Sequence, residues 1–328
     1  MLKKEIECEF RMRPTSNSGA ACFKRYFSEE RQEMAFGRKV TIYLADGAPS
    51  GIRHVEIANW SGQAIACPRS RLNELKDWVE AQRPGVYFLL EKQTAETGDR
   101  AYIGESENVV KRLSQQDKNQ DFWNEVIIFT SKDENLTKAH IKYLESRLTA
   151  ISIEADRYKI ENGNTPTESM LPRADKDSME EFIHNLRIIM GTLGHRVLES
   201  VKVVEQPSLD TSAKPKLSQF IFSFSIRGLN ATGQQTDDGF VLFKGSDVSG
   251  KTSKSMPGKT VAIREKWIAD GTLVPDGENY RLTKDSILSS SSYAAVLVAG
   301  TSRSGPQSWI DDKGRSLKAV EEIMLGET

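Results

Sequence analysis

An arginine and a glutamate within one stretch of the chain have the chemistry that binding a phosphate ester requires. Hydrolysis of a phosphodiester needs an activated water and neutralisation of the charge that develops on phosphorus. The planar fork of Arg112 matches phosphate oxygens. Glu145 lies on a predicted helix, and a carboxylate there can hold a divalent cation. Two tyrosines near glycines, Tyr87 and Tyr102, precede both residues. The stretch therefore predicts a phosphate-binding site.

The position of Glu145 leaves two interpretations open. At ~100° per residue it lies about 40° around the helix from Ile141, at the edge of the apolar face. A carboxylate there is costly unless it is paired or binds a cation. It is either a metal ligand or an ordinary glutamate that pairs with Lys142 or Arg147. Similarly, the two tyrosines are either functional or a packed aromatic pair on adjacent strands.

The elements that must position these residues follow a β-β-α-β-α order. Two strands begin near Pro84 and Arg100, a helix begins at Glu105-Ser106, a strand follows from Trp123, and a helix begins near Thr137. Alternation near a period of two and apolar spacing of three and four support these elements. The apolar stripe of the last helix contains Ile141, Leu144, Leu148 and Ile151.

This stretch resembles the GIY-YIG nuclease family, with Gly85-Val86-Tyr87 and Tyr102-Ile103-Gly104 as the two motifs. The resemblance covers about 80 residues and implies a small antiparallel three-stranded sheet flanked by helices. It also implies cleavage of nucleic acid, most simply DNA, with Mg²⁺ or Mn²⁺. Gly85 and Gly104 would allow close approach of the backbone rather than act chemically.

The resemblance also assigns roles to individual residues. Glu145 would hold the metal, Arg112 would bind the phosphate, and Tyr87 or Tyr102 would orient or deprotonate the water. Two further candidates for substrate binding are Lys111, which is alternatively a surface charge, and Asn164, for which Asn162 is the alternative.

One position departs from the family pattern. Members often carry a histidine or tyrosine one turn after the arginine, whereas this chain has Gln116. A neutral amide cannot accept a proton as an imidazole does. His140 is no substitute, since it lies about 140° from Glu145 around the helix at ~100° per residue. The alternative function is therefore a nucleic-acid-binding module with this fold and weak or lost catalysis.

We expect an α+β fold with three parts. The first part is an N-terminal β-rich unit of strands and a helix that starts at Ser70. The second is the core, which a helix from Ser178 extends. The third is a separate α+β C-terminal domain, which follows a polar linker. The expected divisions are 1–36 (an extension upstream of Met34), 37–82 (β-rich unit), 83–166 (nuclease core), 167–204 (helical extension), 205–216 (linker) and 217–328 (C-terminal domain).

The C-terminal part resembles a domain of unknown function that occurs beside GIY-YIG nucleases in bacterial proteins. The likeness rests on the small-residue helix Ala294 to Val298, on Trp309 and on the Gly314 to Leu317 segment. Residues 244–266 carry six basic side chains and two acidic ones. This run is either a flexible basic loop or a site that binds a nucleic-acid backbone. Gly250-Lys251-Thr252 matches a P-loop expression, but neither a buried parallel strand nor a helix flanks it as that motif requires.

Composition places the protein among ordinary globular chains. It has 328 residues, of which 28% are charged and 38% apolar, and a formal net charge of −1. No apolar run reaches the roughly 18 residues that span a bilayer, and no signal peptide is evident, so we expect a cytoplasmic protein without membrane contact. Cys8, Cys22 and Cys67 lack metal-ligand spacing and predict free thiols. A single active site would nick one strand, so double-strand cleavage would call for two encounters or a homodimer.

Overall fold

A seven-stranded sheet organises the part of the chain that carries the candidate residues. The computed structural model describes residues 37–91, 99–116, 120–163, 169–200 and 216–326. The spatial order of the strands is β1-β2-β3-β6-β4-β5-β7; all pairs are antiparallel except β5 with β7. The strands are β1 (Val40–Leu44), β2 (Arg53–Ile57), β3 (Gly62–Pro68), β4 (Gly85–Glu91), β5 (Arg100–Ser106), β6 (Glu125–Ser131) and β7 (Lys159–Ile160).

Both faces of this sheet are covered, which explains its long apolar strands. Helices α2 (Lys138–Ala155) and α3 (Arg173–Thr192) pack on one face. Helix α1 (Val109–Gln116) and two 3₁₀ segments, Arg69–Asp77 and Val79–Gln82, cover the other. Residues that alternate along the central strands therefore enter two different cores, as strands buried on both faces require.

The α+β class is confirmed, but the sheet is larger than the expected three strands. Strand β3 pairs with β6 along its whole length, from Gly62 opposite Ser131 to Pro68 opposite Glu125. The strands expected in the N-terminal β-rich unit therefore extend the central sheet. The physical reason is burial: nearly every residue of β3 is buried, so this strand needs a partner on each side.

Three helix starts differ from those expected. The run after Ser70 is 3₁₀ rather than α, because extended Trp78 interrupts it and no side chain caps its start. Helix α3 begins at Arg173, and the Ser178 hydroxyl bonds back to the Ala174 carbonyl instead of capping. Strand β5 continues through Ser106, and α1 begins only after Asn108. The start of α2 after Thr137 is confirmed by a capping box with His140.

The C-terminal part builds a separate core around Trp309. A four-stranded sheet has the order β14-β10-β9-β8, and a three-stranded sheet has the order β11-β13-β12. The elements are β8 (Ile221–Ile226), β9 (Leu229–Thr236), β10 (Gly239–Leu242), β11 (Asp247–Val248), α4 (Gly258–Ala269), β12 (Leu273–Asp276), β13 (Asn279–Leu282), β14 (Ser286–Leu288), α5 (Ser291–Ala299), α6 (Gly305–Ser308) and α7 (Leu317–Leu325), preceded by a 3₁₀ turn at Leu217–Gln219. The expected small-residue helix is α5, and it is almost wholly buried.

Ion pairs join the two bodies, which both lie within the unit Val40–Thr328. Asp238, in the turn between β9 and β10, accepts from Arg157 at 2.5 Å and also pairs with Arg196. Lys284 pairs with Asp156 at the end of α2. A mixed-charge cleft of about 1270 Å³ lies beside these contacts. The expected linker, residues 205–216, lies outside the described residues except for Lys216.

Three further expectations concern membranes, thiols and the N-terminus. None of the helices in the described ranges has the length and apolar character needed to cross a bilayer. Cys67 is a buried free thiol whose pKa is raised to about 12 by desolvation, so it stays protonated. Cys8, Cys22 and the expected extension 1–36 lie outside the described residues.

Candidate active site

Pairing between β4 and β5 positions the two tyrosines on one face of the sheet. Tyr87 lies opposite Gly104, and Tyr102 lies opposite Leu89. The tyrosine ring centroids are 6.2 Å apart. A Cβ atom at position 104 would approach the ring of Tyr87 to 2.5 Å, so only glycine leaves room for that ring. Gly85 is equally confined, since a Cβ there would lie 2.2 Å from the Phe129 carbonyl oxygen.

The tyrosines differ sharply in exposure. Tyr87 is fully buried, whereas Tyr102 is half-buried and lines a surface pocket. Burial raises the pKa of the Tyr87 hydroxyl well above its usual range; Tyr102 adds to this and Arg112 opposes it. No described residue meets the Tyr87 hydroxyl with full hydrogen-bond geometry. The sequence left the two tyrosines equivalent, and the structure places only Tyr102 in contact with the pocket.

Helix α1 carries Arg112 to the same place. Asn108 caps the start of the helix: its side-chain oxygen accepts from the Lys111 amide at 3.0 Å. The Arg112 amide donates to the Asn108 carbonyl at 3.1 Å. The guanidinium is exposed at the pocket and lies near both tyrosine hydroxyls, of which Tyr87 contributes most to raising the pKa of Arg112. Arg112 thus remains charged and accessible, as binding of a phosphate requires.

Helix α2 brings Glu145 to the pocket from the opposite face of the sheet. Burial raises the pKa of its carboxyl to about 7, and the negative charge of Glu105 adds to this, whereas Lys138 and Arg112 lower the pKa. The alternative pairing with Arg147 does not occur, since Arg147 donates to Glu180 at 2.8 Å. A half-buried carboxylate without a strong cationic partner is the expected state of a metal ligand before its metal binds.

Sequence reasoning missed two charged residues of the pocket, Glu105 and Lys138. The Lys138 ammonium donates to both carboxylate oxygens of Glu105, at 3.0 and 2.9 Å. The sequence predicts a helix start at Glu105, whereas this residue lies near the end of β5, on the face opposite Tyr102. The signal that could have found it is the alternation of β5, which places Ala101, Ile103 and Glu105 on the face that α2 covers.

These side chains surround an open pocket of about 450 Å³. Its positive and negative groups are interspersed, so it can attract a phosphate and a divalent cation together. Lys111, a candidate for substrate binding, is exposed at its wall. The lining residues are Tyr102, Glu105, Ser106, Glu107, Asn108, Lys111, Arg112, Lys138 and Glu145.

Of the two candidate asparagines, only Asn162 is described. Its side chain bonds twice to the backbone of Ile103, accepting from the amide at 3.0 Å and donating to the carbonyl at 2.7 Å. It thereby satisfies the free edge of β5 beside the tyrosine motif and acts as a structural clamp. Asn164 lies outside the described residues.

The pocket suits a weakly chelated divalent ion rather than a structural metal. Within the described ranges no group of three or more His, Cys, Asp or Glu side chains is placed to hold a metal. Mg²⁺ is commonly bound by one or two carboxylates, with waters and substrate phosphates completing its coordination. Glu145 and Glu105 are two such carboxylates. The pKa of Glu145 is raised mainly by burial and further by the charge of Glu105, and a bound cation would offset both effects. These residues therefore fit Mg²⁺ or Mn²⁺.

Comparison with known proteins identifies one part of the chain. Residues 222–321 match the family described as "Domain of unknown function (DUF4357)". A domain of unknown function is therefore confirmed within the C-terminal part, over residues 222–321 of the expected 217–328. No GIY-YIG family match was found. No curated protein and no solved structure matches the chain. The nuclease resemblance thus rests on the motif residues and their arrangement.

The P-loop interpretation is excluded by the surroundings of Gly250. This residue follows β11, a two-residue strand that pairs antiparallel with β13. A P-loop instead joins a buried parallel strand to a helix. The Gly250 amide donates to the Asn279 side chain at 3.1 Å, so it does not face a phosphate cradle.

Proposed function

We propose that this protein is a divalent-metal-dependent endonuclease that hydrolyses DNA phosphodiester bonds through a GIY-YIG active site. The observation that carries this proposal is the convergence of Tyr102, Arg112 and Glu145, from three separate elements, on one open pocket with Tyr87 directly behind it. Their meeting is easier to explain by shared chemistry than by packing.

Each side chain has a distinct task in this proposal. Arg112 binds the non-bridging oxygens of the phosphate, and Lys111 contacts a neighbouring phosphate. Tyr102 directs its hydroxyl at the water that attacks phosphorus. Tyr87 is a positioning residue that keeps the guanidinium of Arg112 near the pocket. When bound by Glu145, the metal would neutralise charge on the phosphate oxygens.

A second function, binding of nucleic acid with weak or lost catalysis, is supported by two observations. Gln116 stands where a proton-accepting side chain is common in the family resembled. The Lys138 ammonium donates to Glu105 beside Glu145, so a metal ion must compete with this ammonium for the two carboxylates. Both features weaken hydrolysis without weakening contact with phosphates.

Nicking of supercoiled plasmid tests the proposal. The native protein is compared with Glu145→Gln in Mg²⁺, Mn²⁺ or EDTA, and with Glu154→Gln, which removes an exposed carboxylate of the same helix. We expect metal-dependent nicking that falls at least about 100-fold in Glu145→Gln and is unchanged in Glu154→Gln. Binding of plasmid without cleavage by the native protein would establish the second function instead. Equal nicking by both variants would place the activity elsewhere.

A further inference from the structure

Two loops of the C-terminal body carry exposed cations without any acidic residue. Residues 249–260 and 300–305, here called the basic rim, contain Lys251, Lys254, Lys259 and Arg303 but no Asp or Glu. All four side chains are exposed. Lys254, Lys259 and Arg303 form no ion pair with a described residue, and the Lys251 ammonium pairs with exposed Glu278 at 3.4 Å. The rim is therefore a local positive surface on a chain of net charge −1.

Backbone contacts hold the two loops side by side. Ser253 donates its amide to the Gly300 carbonyl at 2.8 Å, and Ser249 donates to the Val298 carbonyl at 2.9 Å. A Cβ atom at Gly300 would lie 2.1 Å from the Lys251 carbonyl oxygen, which shows how closely the chains approach. Arg303 is thus adjacent to the 249–257 loop, although almost 50 residues separate them in the sequence.

Three hydroxyl groups meet at the centre of the rim. The side-chain oxygens of Ser253 and Ser255 are 2.7 Å apart, and that of Thr301 lies 3.1 and 3.2 Å from them. Lys254 stands between the two serines, and Arg303 follows Thr301 by two residues. Hydroxyl, ammonium and guanidinium groups are the side chains that contact phosphates and sugars in protein–DNA complexes.

Helix α4 adds backbone donors to the same surface. Met256 is buried and anchors the loop in the core. Helix α4 begins two residues later, at Gly258. Pro257, which precedes the helix, supplies no side-chain cap. The first amides of an α-helix have no intrahelical partner and carry partial positive charge, so they favour an anion.

A buried guanidinium beneath the loop is the second, independent sign of an anion. Arg264 is only 5% exposed, and no carboxylate of the described residues pairs with it. Its Nη1 has no hydrogen-bond partner there, whereas Nη2 lies 3.4 Å from the Gly250 carbonyl and the guanidinium stacks on Tyr280 at 4.8 Å. A buried cation with no carboxylate partner is costly. A negative group bound at the rim would offset that cost.

We propose that the basic rim binds the phosphate backbone of DNA without reading its sequence. The proposal rests on the proposed nuclease function for its substrate class. It assigns to the C-terminal body the task of retaining DNA while the pocket of the N-terminal body acts on it. The contacts are ionic and hydroxyl bonds to phosphates, which carry no base information. Binding should therefore depend steeply on salt and little on sequence.

The test measures binding of the full chain to a fluorescent DNA duplex by anisotropy, in EDTA and at several salt concentrations. The triple variant Lys254→Gln, Lys259→Gln, Arg303→Gln removes three rim charges. We expect its Kd to rise at least about 10-fold and the slope of log K against log salt to fall by about 2 to 3. The conservative variant Lys254→Arg, Lys259→Arg, Arg303→Lys should bind as the native protein does. The matched control Lys76→Gln, Lys313→Gln, Lys318→Gln removes three exposed charges elsewhere and should change the Kd less than roughly twofold.

The outcomes separate this inference from the nuclease proposal. If the native protein binds DNA through the rim but never nicks it in Mg²⁺ or Mn²⁺, the rim stands and the nuclease proposal falls. If the native protein nicks DNA but the triple variant keeps the native Kd and salt slope, the rim proposal is overturned alone. An equal loss in the control variant, or no binding by the native protein, also overturns it. Thermal unfolding of each variant confirms that the binding comparison concerns folded protein.

Discussion

Tyr87 lies directly across the strand pair from Gly104, with its ring in the space that a side chain at 104 would occupy. This packing explains why the two tyrosine–glycine motifs belong together. One motif supplies the ring, and the other supplies the room for it. The ring also lies beside Arg112 and Tyr102, so a substitution at position 104 that displaces the ring would disturb the pocket.

Gly104→Ala should therefore damage both stability and activity. The added methyl group overlaps the Tyr87 ring and forces it to move, which typically costs about 1–3 kcal/mol in a packed interior. We expect a lower Tm and a loss of nicking. Gly163→Ala is the matched control, because a Cβ there meets nothing within 4 Å. Native Tm and native activity in Gly104→Ala would show that the ring is not confined as described.

The two tyrosines should respond differently to removal of their hydroxyls. Tyr102→Phe should reduce nicking by roughly 100-fold or more, because the hydroxyl at the pocket is lost. Tyr87→Phe should cost less than about 10-fold and leave Tm unchanged or higher, because an unsatisfied buried polar group is costly. Nicking rates and thermal unfolding of both variants test this. The reverse ranking of activities would assign the attacking water to Tyr87.

Ionisation of Glu145 should weaken the metal-free fold as the pH rises towards neutrality. Its pKa is about 7 in the folded protein, against 4.5 for an ordinary glutamate. The unfolded chain therefore releases this proton first as pH rises, and stability falls between about pH 4.5 and pH 7. Glu145→Gln cannot ionise and escapes that loss. In EDTA it should be more stable than the native protein at pH 8 by about 1 kcal/mol after allowance for solvent screening, or roughly 3 °C in Tm.

At pH 4 the same two proteins should differ little, since the native carboxyl is then protonated in both folded and unfolded states. Glu154→Gln provides the control at each pH, because that carboxylate is exposed on the same helix. A Glu145→Gln variant that is no more stable at pH 8 than at pH 4, relative to the native protein, would contradict desolvation of this carboxylate.

Asp238→Asn should loosen the joint between the two bodies. The change leaves Arg157, whose side chain is 10% exposed, without its carboxylate partner. Removing one member of a buried pair typically costs about 3–5 kcal/mol, and partial exposure of Asp238 and Arg196 places the expected loss at the lower end. Calorimetry should show a lower Tm or separation into two transitions. Lys284→Gln, which removes a more exposed pair across the joint, should have a smaller effect. An unchanged transition would show that the ion pairs do not join the bodies.

Local patterns determined a large part of this protein. The stripe of Ile141, Leu144 and Leu148 and the cap at Thr137 placed α2 correctly, because helix periodicity and capping act over a few residues. Alternation near a period of two placed the starts of β4 and β5 near Pro84 and Arg100. The small residues of α5 likewise identified a buried helix of the C-terminal part. These features depend on residues that are close in the sequence, so they can be predicted without a structure.

Features that depend on distant partners were decided by tertiary structure alone. Strand β3 lies within the central sheet because both its faces and both its edges need partners. Its neighbours in the sequence do not specify that β6 is the partner at one edge. The pairing of Lys138 with Glu105, and the contact of Thr301 with a loop almost 50 residues earlier, arise in the same way. The difference between Tyr87 and Tyr102 is also tertiary. Each tyrosine belongs to one of the two motifs, but helix α1 covers the ring of Tyr87 and leaves Tyr102 at the pocket. The sequence by itself singled out the candidate side chains by their chemistry, and long-range packing decided which of them reach solvent together.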